Sequence, residues 1–118
     1  MWADSRAALS DLRLGECERV LDVGCGTGEL TRVLREETDG TVVGLDADTD
    51  LLAAAGDPTV CGDATRLPFA DDSFDLVVCQ ALLINLPDPE VAVREFARVA
   101  TDRVAAIEPN NAAVTVES

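Results

Sequence analysis

A short apolar run that breaks into glycines, Val20-Leu21-Asp22-Val23-Gly24-Cys25-Gly26-Thr27-Gly28, leaves few folds open to this chain. Glycine reaches left-handed dihedrals without steric penalty and presents no side-chain bulk, so the backbone can reverse sharply and a ligand can approach it closely. An amphipathic stretch follows at once. Glu29 to Glu37 sets Leu30, Val33 and Leu34 at helical spacing. Strand, glycine turn and helix in that order form the opening half of a βαβ unit.

The remaining chain keeps this rhythm, with no repeat, low-complexity segment or linker. Apolar runs predict strands at Arg19 to Val23, Thr41 to Asp46, Thr59 to Cys61, Phe74 to Cys79 and Arg103 to Ile107. The fourth is apolar enough to be a parallel strand buried on both faces. A short helix is expected from Thr49 to Ala55, stopped by Gly56 and Pro58, and a longer one from Pro89 to Ala100. Asp88-Pro89 reads as an N-cap followed by proline in the first turn. Ala92, Val93, Phe96 and Val99 should then face the sheet. Asp4 to Leu12 reads as a leading helix, against which Trp2 packs, and Leu14-Gly15-Glu16 ends it. Phe69, Phe74 and Phe96 are core candidates, whereas Asn110 to Ser118 is too short to assign. Alternating strands and helices make this an α/β chain, and 118 residues suit a single domain over residues 1–118.

Charge narrows the partners. The sequence has 23 acidic and nine basic residues, a net charge of −14, and neither His nor Tyr. Every basic residue is Arg. Phosphate backbones and anionic membranes would be repelled, so neither nucleic acid nor a membrane is an expected partner. No apolar run approaches the ~20 residues of a membrane span, and the N-terminus lacks a basic start followed by an apolar run. A cytoplasmic protein is expected. The Asp-rich, Lys-free composition resembles proteins of extreme halophiles. Cys17, Cys25, Cys61 and Cys79 form no CxxC pair and have no His to join them, so no metal site is expected and the thiols read as reduced and mostly buried.

Parallel α/β sheets bind ligands at the carboxyl ends of their strands. The special residues lie at such ends: Asp22 and Gly24 to Gly28 after strand one, Asp46 at strand two, Gly62-Asp63 after strand three, Cys79-Gln80 at strand four. A pyrophosphate-binding turn would carry a third glycine at position 29, where this chain has Glu29. A carboxylate there opposes phosphate and tolerates a ligand carrying sulfonium and ammonium groups. Asp46 can accept from both hydroxyls of a ribose. Asp63 can accept from the exocyclic amine of adenine, or serve only as a turn residue. Cys25 reads as a small filler of the turn.

Leu21 to Leu30 (LDVGCGTGEL), Val43 to Asp46 (VGLD), Gly62-Asp63-Ala64 with Leu67-Pro68-Phe69, and Asp72-Ser73-Phe74-Asp75, taken in order, resemble the class I methyltransferases, especially the group acting on small molecules. The resemblance implies a Rossmann-like three-layer sandwich with strand order 3-2-1-4-5 that binds S-adenosylmethionine. It places Asp22, Gly24, Cys25, Gly26 and Gly28 against the methionine part and Asp46 on the ribose. Ala47 would flank adenine, Asp63 and Ala64 read its edge, and the backbone near Cys79 and Gln80 meets the amino group. A small-molecule methyl acceptor is implied, and no catalytic residue is named. The family adds a helix and an antiparallel hairpin beyond strand five, and these C-terminal strands are expected to be missing. The strand-five edge is then expected to be open to self-association. A non-catalytic S-adenosylmethionine-binding module or truncated fragment is the alternative, and a nicotinamide-dependent oxidoreductase is the rival that Glu29 and Asp63 oppose.

Overall fold

The computed structural model describes residues 14–26, 28–56, 58–80, 82, 86–107 and 113–117. The expected leading helix and Trp2 lie outside them, and Leu14–Glu16 forms one 3-10 turn. Strands β1 (Arg19–Val23), β2 (Thr41–Asp46), β3 (Thr59–Cys61), β4 (Phe74–Gln80), β5 (Ala100–Ile107) and β6 (Ala113–Glu117) form one sheet in the order β3-β2-β1-β4-β5-β6. The first five run parallel, which is the expected 3-2-1-4-5 order.

The sixth strand changes one expectation. β6 pairs antiparallel with β5 from Arg103↔Glu117 to Ile107↔Ala113. The chain's own C-terminal segment therefore satisfies the β5 edge, and the open edge expected to drive self-association is already taken. At least one strand beyond β5 is present. Asn110 to Ser118 carries no long apolar run of its own, and the strand state of Ala113–Glu117 comes from antiparallel pairing with the preceding strand β5.

Helices α1 (Glu29–Glu37), α2 (Thr49–Ala55) and α3 (Pro89–Val99) are the crossovers. Two apolar layers flank the sheet. One joins Leu30, Val33 and Leu34 of α1 to Val20, Val42, Leu76 and Val78. The other joins Ala92, Phe96 and Val99 of α3 to Leu21, Val23, Leu45, Val77 and Cys79. Alternate residues of β1 and β4 feed opposite layers, as a strand buried on both faces requires. Phe96 and Phe74 are buried, and Phe69 meets Phe74 edge-on with ring centroids 5.0 Å apart. Val93 does not join the layer: it is 37% exposed, because the helical face centred on Ala92 and Phe96 already fills the contact. Asp88 occupies the N-cap of α3, as expected, but its side chain makes no capping hydrogen bond, and Pro89 alone conditions the first turn.

No helix among the described residues is long and apolar enough to cross a membrane. Cys17, Cys25 and Cys79 are buried and Cys61 is exposed, all four as free thiols.

Candidate functional site

The strand ends are brought together by register. Val23 of β1 lies between Leu45 of β2 and Cys79 of β4, and Asp46 pairs with Cys61 of β3. The glycine turn then folds over β2, with the Gly24 and Cys25 amides both donating to the Leu45 carbonyl, at 2.7 and 3.0 Å. Gly24, Gly26 and Gly28 all have positive φ, from 56° to 89°. Gly28 has a second reason to lack a side chain: a Cβ there would stand 2.9 Å from the Ala55 Cα, where α2 ends.

Asp46 fastens this turn from the side. Its Oδ2 accepts the Gly26 amide at 2.8 Å and its Oδ1 accepts the Asp48 amide at 2.9 Å. Its carbonyl accepts the Gly62 amide at 3.1 Å, which holds the exit of β3 beside it. A carboxylate offers about four lone-pair directions, so each oxygen keeps accepting capacity for a further donor.

Asp22 is only 1% exposed. Its Oδ2 accepts the Thr31 hydroxyl of α1 at 2.6 Å. Burial pushes its carboxyl from the ordinary 3.8 up to about 7, against the downward pull of the Thr31 hydrogen bond and of Arg35. Thr31 was not singled out in the sequence, where it looks like a polar interruption in a helix. An acidic strand-end residue facing the first turn of the next helix is the signal that would have found it.

A cleft of about 190 Å³ opens here, lined by Asp22, Gly24, Cys25, Gly26, Glu29, Leu30 and Gln80. Both ionisable carboxyl groups on its wall, Asp22 and Glu29, are acidic, which suits a cationic ligand and opposes a phosphate. Burial, with the charges of Asp22 and Asp46, raises the Cys25 thiol to about 11, so it is inert as a nucleophile and fills space against Gly44.

The cleft thus brings together Asp22, Gly24, Cys25, Gly26 and Gln80, whereas Gly28, Asp46, Ala47, Asp63, Ala64 and Cys79 are not among the residues that line it. Ala47 is exposed just past β2, and its carbonyl accepts the Cys61 thiol at 3.7 Å. Asp63 starts the loop after β3 and makes the turn: Oδ1 accepts the Thr65 amide at 2.8 Å and the Thr65 hydroxyl at 2.7 Å. These bonds hold its carboxyl below the usual range. Oδ2 has no hydrogen-bond partner among the described residues. Ala64 packs partly buried against the α3-side layer. Cys79 is buried in the sheet, and Gln80 beside it reaches the cleft. Leu82 lies over Gly24, with its Cδ1 3.1 Å from where a Cβ would stand.

Known proteins share this sequence and fold. A demethylmenaquinone methyltransferase of Mycobacterium marinum is 44% identical over 97 residues, covering 80% of this chain and 42% of its own length. Among solved structures, an S-adenosylmethionine-dependent methyltransferase from Mesorhizobium loti superposes with a TM-score of 0.75 at 27% identity, over 89% of this chain and 51% of that one. The [4+2]-cyclase SpnF superposes with a TM-score of 0.75 at 29% identity, over 88% of this chain and 44% of that one. The chain thus spans less than half the length of its curated relative and about half that of the solved chains. The model of the methyltransferase domain matches residues 21–107, from the middle of β1 to the end of β5, so the chain belongs to the methyltransferase-domain family.

Proposed function

We propose that this chain is the S-adenosylmethionine-binding core of a methyltransferase with a small-molecule acceptor. The observation that carries the reading is the Asp46 carboxylate, joined to the glycine turn yet retaining accepting capacity on both oxygens. Asp46 would take the ribose hydroxyls, with Ala47 flanking the adenine. The Oδ2 of Asp63, without a hydrogen-bond partner among the described residues, and the amide of Ala64 would meet the adenine edge. Asp22, Gly24, Cys25, Gly26 and Gly28 would face the methionine part, and the backbone at Cys79 and Gln80 its amino group. Acidic walls suit the sulfonium and ammonium charges, and a cation brought close to Asp22 would favour its ionised form.

When bound, S-adenosylmethionine supplies a methyl group already activated by its sulfonium. The protein's part is then to orient donor and acceptor and to exclude water. Glycine backbone, the carboxyl groups of Asp22 and Glu29, and the side chains of Cys25, Leu30 and Gln80 line the cleft, with no His, Lys or Tyr among them. A quinone of the demethylmenaquinone type is the first acceptor to assay. The acidic, lysine-free surface fits a cytoplasm of high salt.

The structural likeness to a protein named as a cyclase favours one second reading, cofactor binding without methyl transfer. Calorimetric titration of the full chain with S-adenosylmethionine, S-adenosylhomocysteine and NAD tests the proposal. Both adenosyl ligands should bind and NAD should bind weakly or not at all, whereas tighter binding of NAD overturns the reading. Turnover with a quinone acceptor then separates the methyltransferase from the non-catalytic module.

A further inference from the structure

The loop from Gly62 to Ser73 begins with Asp63 and Ala64 and runs along α3 to reach β4. One ion pair on α3 fastens most of it. Arg98 donates from Nε to Glu95 Oε2 at 2.8 Å and from Nη2 to Glu95 Oε1 at 3.1 Å. Both side chains spend their remaining capacity on the loop. Glu95 Oε1 accepts the Leu67 amide at 2.8 Å, and Arg98 Nη2 donates to the Leu67 carbonyl at 3.0 Å. Arg98 Nη1 donates to the Phe69 carbonyl and to Asp71 Oδ1, both at 2.8 Å. Main-chain bonds finish the seam, with Asp72 and Ser73 donating to the carbonyls of Arg98 and Val99.

A surface ion pair on a helix contributes little and organises nothing else. The neighbouring Arg94–Glu90 pair is of that kind, at 3.8 Å with both side chains exposed. Glu95 and Arg98 differ in serving both backbone groups of a single loop residue, Leu67, whose side chain is buried in the α3-side layer. Hydrogen bonding to Arg98 holds the Glu95 carboxyl below its usual range, and bonds to Glu95 and Asp71 raise Arg98 in turn.

The position of Leu67 matters because of what precedes it. The Asp63 turn closes on itself through the Thr65 bonds and through the Arg66 amide, which donates to the Asp63 carbonyl at 3.0 Å. On one side Gly62 is tied to Asp46, and on the other Arg66, which closes the turn, leads directly into Leu67. The turn is thus a rigid unit hung between two anchors, and the second anchor is the Glu95–Arg98 pair.

We propose that Glu95 and Arg98 are positioning residues for adenine selection: they hold the Asp63 turn where its Oδ2 meets the exocyclic amine. This rests on the cofactor reading above. The test is calorimetric titration of the full chain with S-adenosylhomocysteine and with S-inosylhomocysteine, which lacks that amine. The parent should prefer the adenosyl probe. Arg98→Ala should lose about thirty-fold or more in affinity for the adenosyl probe and only about two-fold for the inosyl probe, the difference of about fifteen-fold expected of one hydrogen bond to a charged group. Arg98→Lys should restore part of the preference. Equal losses for both probes would show a merely structural role and overturn the inference, as would a preference left unchanged. A parent that binds neither probe overturns the cofactor reading and this inference with it. If Arg98→Ala does not fold, Glu95→Gln, which keeps an acceptor for Leu67 but loses the charge that holds Arg98, should show the same collapse of preference.

Discussion

The Asp46 carboxylate accepts the Gly26 amide at 2.8 Å across the seam between β2 and the glycine turn. The residue proposed to hold a ribose therefore also holds the turn beside it. Asp46→Ala should weaken S-adenosylmethionine binding by about ten-fold to a hundred-fold, the net loss of one charge-assisted bond of ~1.5 to 3 kcal/mol. It should also lower stability by about 1 to 2 kcal/mol, since two backbone amides lose their acceptor. Titration and denaturant melts of one variant measure both, and an unchanged affinity in a folded protein would refute the assignment.

Asp22 should make stability depend on pH. Its folded-state carboxyl is raised above its ordinary value, from 3.8 to about 7. The folded state therefore binds the proton more tightly than the unfolded state. The associated stability is fully present below about pH 4 and is lost as pH rises toward 7, at about 1.4 kcal/mol per pH unit. Asp22→Asn keeps an acceptor for Thr31 and removes the titration. Its urea midpoint should fall less between pH 4 and 7 than the parent's, and parallel curves would contradict the buried, raised carboxyl.

Gly28 should be the least replaceable residue of the turn. Gly28→Ala combines a φ of +89° with a Cβ placed 2.9 Å from the backbone of Ala55, which cannot rotate away. Strain at such dihedrals costs about 1 to 3 kcal/mol before the clash is added. Gly26→Ala meets nothing within 4 Å and should cost only the dihedral strain. Thermal melts should rank Gly28→Ala well below Gly26→Ala.

Salt should stabilise the domain. With a net charge of −14 and no Lys, surface carboxylates repel one another. Screening shortens from about 10 Å at 0.1 M salt to about 3 Å at 1 M. The melting temperature is expected to rise from dilute buffer to molar KCl, and a flat or falling curve would count against a high-salt origin.

Local pattern alone determined much of this protein. Apolar runs and helical spacing set β1, β2, β3, α1 and α2 at the boundaries observed, because their periodicity is carried within each segment. The placement of Asp22, the glycines and Asp46 at the carboxyl ends of β1 and β2 follows in the same way, since a parallel sheet must deliver its strand ends to one side. Partnership across the chain decided the rest. β5 begins at Ala100, ahead of the expected Arg103, because Phe74 pairs with Ala100 before the register shifts to Leu76 with Arg103. β6 exists because β5 offers an unpaired edge. Val93 is excluded from the core by the packing of Ala92 and Phe96, which helical spacing cannot foresee. Thr31 beneath Asp22, and Glu95 with Arg98 beneath the Asp63 turn, act through hydrogen bonds between residues on different elements. In the sequence they are ordinary polar positions on amphipathic helices, and only the folded chain brings their donors and acceptors within reach of the loops they hold.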